Sequence, residues 1–423
     1  MSLGDRLRQL RRPTPVLDPD DSVPLKERLE RLVAAAERGR GPRPAAQALE
    51  ELVQGQRVAN ARGEFFLVES DIHLDTFHGE VSLSRLRSVA PGSVGVLSGE
   101  PRLDGFDLSR AAFLDTETTG LAGGTGTAAF LIGLGFMDGD RFVVRQYFMR
   151  DYHEEPALLA GVAEDLRRFD HLVTFNGRQF DVPLLETRYR LDRRDHFPLD
   201  RAPHLDLLPP ARRLWRARLE SCALQSLEVA LLGLRRHDDV PGEAIPGIYF
   251  DYVRRRDARA LCRVFKHNRT DIVSLAALTL RACRWVETGE AEDPRDVFSL
   301  ARVLERARLY ERSEAAYWRA VENDQGALRV AALVRLAARA KRAGDNAAAL
   351  RLWQQASGLG DILAHRELAI HHEHRSRDLE QAQAAAQGGL GLCAGRGAPT
   401  RVRLDFERRL ARLARKRVEA SRG

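Results

Sequence analysis

The sequence predicts an α/β fold, in which a mixed sheet with flanking helices is followed by an all-α region of helical repeats. Two observations predict the sheet: three consecutive strand patterns between Ala111 and Phe148, and an alternation of strand and helix patterns after them. The third observation is that strand patterns almost vanish beyond Pro294, where Ala-rich helical segments recur. The chain therefore divides into a sheet-forming part and a helical part.

The first part of the chain, residues 1–104, is predicted to be an accessory region. A Pro- and Asp-rich start is followed by apolar residues at helical spacing between Leu25 and Val33. Two later segments, Gly63–Ser70 and Gly79–Leu86, have the composition of short strands. We therefore expect one helix and two strands before the main sheet.

The main sheet is expected within residues 105–290. Three antiparallel strands come first, with Asp138–Asp140 as the turn between the last two. A helix, a buried strand, a second helix and another strand follow, and the chain is then mainly helical from Ala211 to Leu280. The corresponding ranges are 111–115, 128–136 and 141–148 for the antiparallel strands, 154–169 and 182–190 for the helices, and 171–175 and 204–208 for the later strands.

Small and aromatic residues recur at matching positions in the last part of the chain, residues 291–423. The offsets of 36 and 33 residues bracket the roughly 34-residue helix-turn-helix unit of tetratricopeptide repeats. An ordinary helical bundle is the alternative, because the first unit lacks the usual alanine. The matching residues are Ser313, Tyr317 and Ala320, then Ala349, Trp353 and Ala356, then Ala382, Ala386 and Gly389.

Composition narrows the class of protein. The four cysteines are far apart and form no Cys-x-x-Cys pair, which excludes zinc ribbons and disulfide frameworks. No apolar run approaches the roughly 20 residues needed to span a membrane, and the first residues do not resemble a signal peptide, so we expect a cytoplasmic protein without membrane contact. The net charge of +7 favours anionic partners such as nucleic acid, although genomic base composition also explains why only four of the 67 basic residues are lysines.

The strongest local motif is LDTETTGL, Leu114–Leu121, at the end of the first strand of the main sheet. Residues i and i+2 of a strand share a face, so Asp115 and Glu117 bring two carboxylates into the same space. Their mutual repulsion is commonly relieved by an oxygen-preferring divalent cation such as Mg²⁺ or Mn²⁺. By itself the pattern is also explained by a solvated, acidic strand end.

Two further motifs add polar groups. The segment Phe175–Asp181 follows a buried strand and offers Asn176 in a turn position and Asp181 after an aromatic residue. The segment His267–Asp271 is predicted to open a helix, where residues i and i+4 lie on one face. His267 and Asp271 are therefore expected to serve one centre.

In this order, the three motifs resemble the exonuclease motifs of the DEDD superfamily, over about two fifths of the chain. The segments SCALQSLEVALLGL, DDVPGEAIPGIYFDYV and FKHNRTDIVSLAAL further resemble the YprB-type ribonuclease H-like proteins of bacteria, which carry tetratricopeptide repeats after the nuclease domain. The resemblance implies a ribonuclease H-like mixed sheet with flanking helices, followed by an all-α tetratricopeptide-like repeat region. It also implies a 3′→5′ exonuclease that acts on single-stranded DNA or RNA ends.

The resemblance assigns a role to each motif residue. Asp115, Glu117, Asp181 and Asp271 would be the ligands of two Mg²⁺ or Mn²⁺ ions, and His267 would be the general base. In the branch of the superfamily with a histidine base, that residue usually precedes the last aspartate by five positions, whereas here the spacing is four. A histidine that orders the start of the helix is therefore the alternative role. The residues expected to contact substrate are Thr118, Thr119, Gly120, Leu121 and Asn176.

Two alternatives to the exonuclease remain open at this stage. A structure-dependent endonuclease would use the same fold and carboxylates, and a nucleic-acid-binding scaffold would act through its repeats.

The aromatic residues Tyr249, Phe250 and Tyr252, followed by arginines, are typical either of a single-strand binding surface or of a core-facing helix. The repeats are expected to bind a protein partner and to be dispensable for chemistry, provided that the sheet domain does not need the first repeat helix for burial.

Overall fold

The computed structural model describes residues 45–120, 126–192, 196–324, 326–395 and 398–420. The predicted helix between Leu25 and Val33 lies outside these residues. In the part of the chain that the structure describes, every helix is too short or too polar to cross a lipid bilayer.

The described residues of the sheet-forming part contain nine strands. A seven-stranded sheet has the order β1-β2-β7-β6-β5-β8-β9, and β3 and β4 form a separate hairpin. The strands are β1 Gln56–Asn60, β2 Gly63–His73, β3 Phe77–His78, β4 Val81–Ser82, β5 Ala111–Thr118, β6 Ala129–Asp138, β7 Arg141–Phe148, β8 His171–Thr174 and β9 His204–Asp206.

Helices cover the sheet and form most of the remainder. The α-helices before residue 290 are α1 Leu49–Leu52, α2 Pro91–Ser98, α3 Glu155–Leu166, α4 Asp181–Asp192, α5 Leu208–Trp215, α6 Leu224–Leu227, α7 Ile245–Arg255 and α8 Leu261–Thr288. A π-helical segment, Glu228–Leu232, continues α6. Short 3₁₀ segments are Leu83–Arg87, Pro101–Leu103, Leu108–Arg110, Tyr152–Glu154 and Gly242–Ala244.

The sheet is mixed, as predicted. Strands β5, β6 and β7 are antiparallel neighbours, and Gly139 with φ of 55° makes the tight turn between the last two. Strands β8 and β9 join the other side of β5 in parallel. The predicted ribonuclease H-like arrangement, three antiparallel strands followed by alternating helices and parallel strands, is confirmed.

The sheet extends beyond the predicted strands on its β7 side. Strand β2 pairs with β7 along eight residue pairs, Phe66–Phe148 to His73–Arg141, and β1 pairs with β2. The segment Gly79–Leu86, predicted as a strand, is instead a two-residue strand followed by a 3₁₀ turn. Because β1 and β2 lie before residue 104, the sheet includes residues from both sides of the predicted domain boundary between residues 104 and 105. That boundary stays a prediction.

The alternation of side chains along β5 separates two hydrophobic clusters. Ala111 and Phe113 belong to a cluster that includes α5 and the middle of α8, whereas Ala112 and Leu114 belong to one beneath α3 and α7. All four residues are at most 1% exposed, so the strand is buried on both faces. This explains why its first four residues are uniformly apolar and why the first polar residue is Asp115.

The helical part consists of three helix pairs and a last helix. Successive helices pack against each other, and the region has the all-α character that the sequence predicts. Gly344 and Gly360 have φ of 87° and 84°, and each precedes an aspartate whose side chain caps the next helix. The helices are α9 Pro294–Arg306, α10 Tyr310–Asn323, α11 Ala327–Arg342, α12 Asn346–Gly358, α13 Ile362–His374, α14 Leu379–Gly395 and α15 Thr400–Ala420.

The matching residues of the predicted repeats lie on the second helix of each pair, α10, α12 and α14. All of them are buried, including Tyr317 and Trp353 at 2% and 4% exposure. Helix pairs with buried small residues are what the repeat prediction requires. The specific assignment to tetratricopeptide repeats stays a prediction.

The sheet part and the helical part share one hydrophobic cluster. Leu214 and Trp215 of α5 belong to the same cluster as Leu300 and Leu304 of α9, and all four are at most 1% exposed. A partly buried ion pair between Arg218 and Asp296 joins the same surfaces, with Nε and Oδ2 at 2.6 Å. The condition set above for a dispensable repeat region is therefore not met.

Candidate metal centre

The centre of the site is the end of strand β5. Asp115 and Glu117 project from the same face of the strand, as their spacing predicts, and the ladder with β6 becomes irregular directly after Glu117. The Glu117 side chain is 12% exposed. Within the described residues, Glu117 accepts no hydrogen bond, so its carboxylate is available to a ligand.

Asp181 reaches the site from the first residue of α4. Its carboxylate accepts a hydrogen bond of 2.6 Å from the Thr116 hydroxyl, on the strand residue between the two β5 carboxylates. Asp181 is buried at 8% exposure. The loop before it is held by Asp206, which accepts the backbone N–H groups of Asn176 and Arg178 at 2.7 and 3.2 Å.

His267 and Asp271 come from α8 and face the β5 carboxylates. The His267 Nε2 atom lies 3.4 Å from Asp271 Oδ2 and 4.0 Å from Glu117 Oε1. These three residues are a group whose ligand atoms all lie within 4.8 Å of one another. The prediction that the His-x-x-x-Asp motif opens a helix is wrong, because α8 begins at Leu261, and ordering a helix start therefore cannot be the role of His267.

Helix α8 lies directly on strand β6 because that strand contains glycines. A Cβ atom at Gly133 would come within 2.3 Å of Asn268 Oδ1, and one at Gly135 within 2.4 Å of Ile272. The close approach places the Asn268 amide 2.8 Å from Asp115 Oδ2, to which it donates. Gln146 fixes this amide by donating to Asn268 Oδ1 at 3.0 Å. Gly133 and Gly135 of β6 thus let α8 approach closely enough for Asn268 to position Asp115, a ligand candidate on the neighbouring strand β5.

A buried arginine, Arg236, links several acidic groups beside the centre. Its guanidinium donates to Glu228 at 2.5 and 2.7 Å, to Asp239 at 3.1 Å, and to Oδ1 of Asp271. Because Arg236 binds Oδ1, the other oxygen of Asp271 is the one that faces His267. Arg236, Glu228 and Asp239 were not predicted as site residues.

Asp239 orients the imidazole of His267. The Nδ1 atom lies 2.8 Å from Asp239 Oδ1 and 3.4 Å from Arg236 Nη1. We assign the proton to Nδ1, because the shorter contact is to a carboxylate, which only accepts hydrogen bonds. The lone pair of Nε2 then points toward Asp271 and Glu117. An aspartate behind a histidine is the usual arrangement of an oriented base or metal ligand.

The carboxylates of the centre destabilise one another. Burial, and then the charges of Asp271, Asp181 and Asp239, raise the pKa of Glu117 to about 8. Burial raises the pKa of Asp181 to about 6, against the hydrogen bond from Thr116. The pKa of Asp115 is also raised, first by burial and then by Asp271 and Glu117. Arg236 offsets only part of this excess negative charge.

A divalent cation fits this donor set. Carboxylate oxygens with an adjacent imidazole suit Mg²⁺ and Mn²⁺, and an ion would replace the protons that repulsion otherwise keeps on the carboxyl groups. Glu117 and Asp271 also retain 12% and 14% side-chain exposure, so the site is open to solvent. The residues present therefore fit a metal centre.

The predicted substrate-contact residues directly follow Glu117 or precede Asp181 in the chain, and one of them lies outside the described residues. The Thr118 hydroxyl donates to Gly120 O at 2.8 Å, and the Thr119 hydroxyl accepts from the backbone N–H of Ala128 at 3.0 Å. Asn176 adopts the left-handed conformation, with φ of 65°. Leu121 and the glycine-rich residues up to 125 lie outside the described residues. Substrate contact by any of these stays a prediction.

The aromatic residues of α7 belong to the core. Tyr249 and Tyr252 are 0% and 5% exposed, and Tyr249 stacks on Phe130 with ring centroids 4.0 Å apart. Phe250 is 39% exposed. Of the two interpretations that the sequence left open, the core-facing helix is the one that the two tyrosines support.

Two comparisons with known proteins agree with this architecture. A family model described as the RNase_H superfamily matches residues 112–283, from the second residue of β5 to the last turns of α8. This span contains the four carboxylates and His267. The chain is also 30% identical over 365 residues to the uncharacterized protein YprB of Bacillus subtilis (strain 168), and the match covers 84% of this chain and 86% of the relative.

Proposed function

Because the chain belongs to the YprB family and carries a ribonuclease H-like domain, we propose that it is a metal-dependent 3′→5′ exonuclease that hydrolyses phosphodiester bonds at single-stranded DNA or RNA ends. The observation that carries the proposal is the convergence of Glu117, His267 and Asp271 beside Asp115 at the end of the central strand. The 3′→5′ polarity and the DEDD assignment come from the motif resemblance.

Asp115, Glu117 and Asp271 would hold the metal, with Asp181 assisting a second ion. When bound, two Mg²⁺ or Mn²⁺ ions would lower the pKa of an attacking water and neutralise charge on the phosphate oxygens. Asn268 keeps Asp115 in place, and Arg236 fixes one oxygen of Asp271 so that the other faces the centre. The protein thus supplies oriented carboxylates without rearrangement.

His267 is proposed as the general base. Its Nε2 lone pair faces the carboxylates, and Asp239 would stabilise the imidazolium that forms when Nε2 accepts a proton from water. A direct metal ligand is the other chemistry open to Nε2. The two roles differ in one measurement: a base can be lost without loss of metal binding, whereas a ligand cannot.

The proposed activity is tested on labelled strands. Full-length protein with Mn²⁺ is incubated with single-stranded DNA and RNA carrying a label at either end. A ladder that shortens from the 3′ end supports the proposal and identifies the sugar that is accepted. Internal products from branched or junction substrates would instead indicate a structure-dependent endonuclease, and no cleavage with binding intact would indicate a scaffold.

Replacement of Asp239 by asparagine is expected to lower the hydrolysis rate about 10- to 100-fold, because the amide no longer fixes the imidazole tautomer. The rise in melting temperature caused by Mn²⁺ is expected to persist, since Asp239 is not a proposed ligand. Asp238→Asn is the matched control: it removes the same charge one residue away, from a side chain that is 76% exposed. Equal activity of the two variants would contradict the role of Asp239.

A further inference from the structure

A cleft lined by arginines lies where the sheet part meets the helical part. Its volume is about 720 Å³, and it is bounded by α5, α9 and α11. The acidic residue among its described lining residues is Glu305, whose carboxylate already pairs with Arg335 and Arg342 at 3.6 and 3.3 Å. The arginines that line this basic cleft are Arg212, Arg213, Arg216, Arg302, Arg306 and Arg335.

Most of the positive charge in the basic cleft is not neutralised by the protein. Across the described ranges of the chain, Arg212, Arg216, Arg302 and Arg306 form no salt bridge, and all four are exposed. Other surface arginines do have carboxylate partners, as in the Arg295–Asp293 pair at 2.7 Å. Unpaired guanidinium groups facing one cleft attract a polyanion.

The basic cleft is connected to the loop that carries Asp181. Three consecutive residues at the end of α2 contact arginines from three separate parts of the chain. Arg213 donates to Ser98 O at 2.6 Å, and Arg178 pairs with Glu100 at 2.7 Å. Between them, Arg306 lies against Gly99, where a Cβ atom would come within 2.8 Å of its Nε atom.

These contacts join the wall of the cleft to the loop that precedes Asp181 in the candidate metal centre, with the Arg178 guanidinium paired to Glu100. Arg178 lies three residues before Asp181, and its own backbone N–H is held by Asp206. Burial, and then the charge of Arg306, lower the pKa of Arg213, which agrees with a crowded group of cations. A strand whose end lies at the metal centre would therefore pass the loop of Arg178 before it reaches the basic cleft.

We infer that the basic cleft binds the phosphate backbone of the single-stranded nucleic acid whose end occupies the metal centre. The inference rests on the proposed nuclease function for the direction of the strand. Guanidinium forks match phosphate oxygens, and backbone contacts of this kind do not read sequence. An acidic protein partner is less well matched, because the apolar residues among the described lining are Ala217 and Val303, without the aromatic anchors typical of protein interfaces.

The test measures binding without chemistry. Full-length wild type and the double variant Arg212→Gln/Arg302→Gln are titrated into fluorescein-labelled poly(dT) strands of increasing length, in EDTA, at several salt concentrations. Because each phosphate contact to a single strand contributes about 0.7 to the slope of log K against log salt, the double variant should lose up to about 1.4 from the slope. The loss of affinity should be greatest for the longest strands.

A second double variant, Arg85→Gln/Arg351→Gln, is the control. It also removes two exposed arginines that form no salt bridge to any described residue. Arg85 lies on the 3₁₀ turn that follows β4, and Arg351 lies on α12. Equal slopes for the two double variants would overturn the inference. The inference would also be overturned if the Arg212→Gln/Arg302→Gln variant lost affinity for polyglutamate but kept the wild-type affinity for poly(dT). Binding is measured here in EDTA, without cleavage, whereas the nuclease proposal is tested by hydrolysis of labelled strands. Failure of one proposal is therefore distinguishable from failure of the other.

Discussion

Replacing Asp115 or Asp271 with asparagine is expected to lower phosphodiester hydrolysis by about three orders of magnitude while the protein remains folded. Each change would remove the charge of a proposed ligand from a centre whose metal ions, when bound, would stabilise the transition state by several kcal/mol, and about 1.4 kcal/mol corresponds to a tenfold rate. The rate is measured with end-labelled strands at saturating Mn²⁺. The control is Asp138→Asn, which removes the same charge from an exposed position at the end of β6.

Metal binding gives these variants a second readout. Because the pKa of Glu117 is raised from 4.5 to about 8, the metal-free protein should lose stability as pH rises from about 4.5 through 8. A bound cation removes the cause, so Mn²⁺ should raise the melting temperature more at pH 8 than at pH 6, and less in Asp115→Asn than in wild type. Full activity of Asp115→Asn, or equal metal-induced shifts in both proteins, would contradict the assignment of this centre.

The carboxylates were predictable from the sequence because their spacings are local. Asp115 and Glu117 share a strand face, and His267 and Asp271 share a helix face, so periodicity alone places each pair on one face, whereas their roles as metal ligands and base come from the family resemblance. The antiparallel run of β5, β6 and β7 was predictable for a similar reason, because its strand and turn patterns lie close together in the chain. What joins the pairs into one site is the packing of α8 on β6, which Gly133 and Gly135 permit.

The groups that orient the ligands were not predictable in this way. Asn268 and Gln146 are 122 residues apart, and Arg236 reaches Asp271 across 35 residues from a segment without regular structure. A buried Glu228 gave no signal of its role, because an isolated glutamate in a helical pattern usually faces solvent. The segment around Asp239 did contribute to the family resemblance, but it contains no spacing that indicates a partner for His267.

The same limit explains the extension of the sheet. The segment Gly63–Ser70 was predicted as a strand, yet nothing local specified that it would pair with β7. The basic cleft is likewise assembled from α5, α9 and α11, so the arginines that line it are spread over more than 120 residues. Long-range assembly, rather than local propensity, therefore determines both the sheet edge and the cleft.

A chain that ends at Glu290 is expected not to fold cooperatively, in contrast to the expectation from sequence that the helical part is dispensable. The truncation removes α9, whose buried residues include Val297, Leu300 and Leu304. Burial of each such side chain contributes about 1.5–3 kcal/mol, so their loss approaches the 5–15 kcal/mol by which domains are stable. The truncation also removes Asp296, so that Arg218 loses its ion-pair partner. Urea unfolding followed by circular dichroism measures the effect.

The matched comparison is a chain that ends at Asn323, which keeps α9 and its partner α10. In that chain Tyr317 still covers α9, stacking edge-on against Phe298 with ring centroids 5.6 Å apart, and the cluster around Trp215 stays closed. We expect this longer chain to unfold in a single transition and to retain the proposed hydrolysis of short strands. A cooperative, active chain ending at Glu290 would show that the sheet domain buries its own core, and that α9 contributes only to the basic cleft.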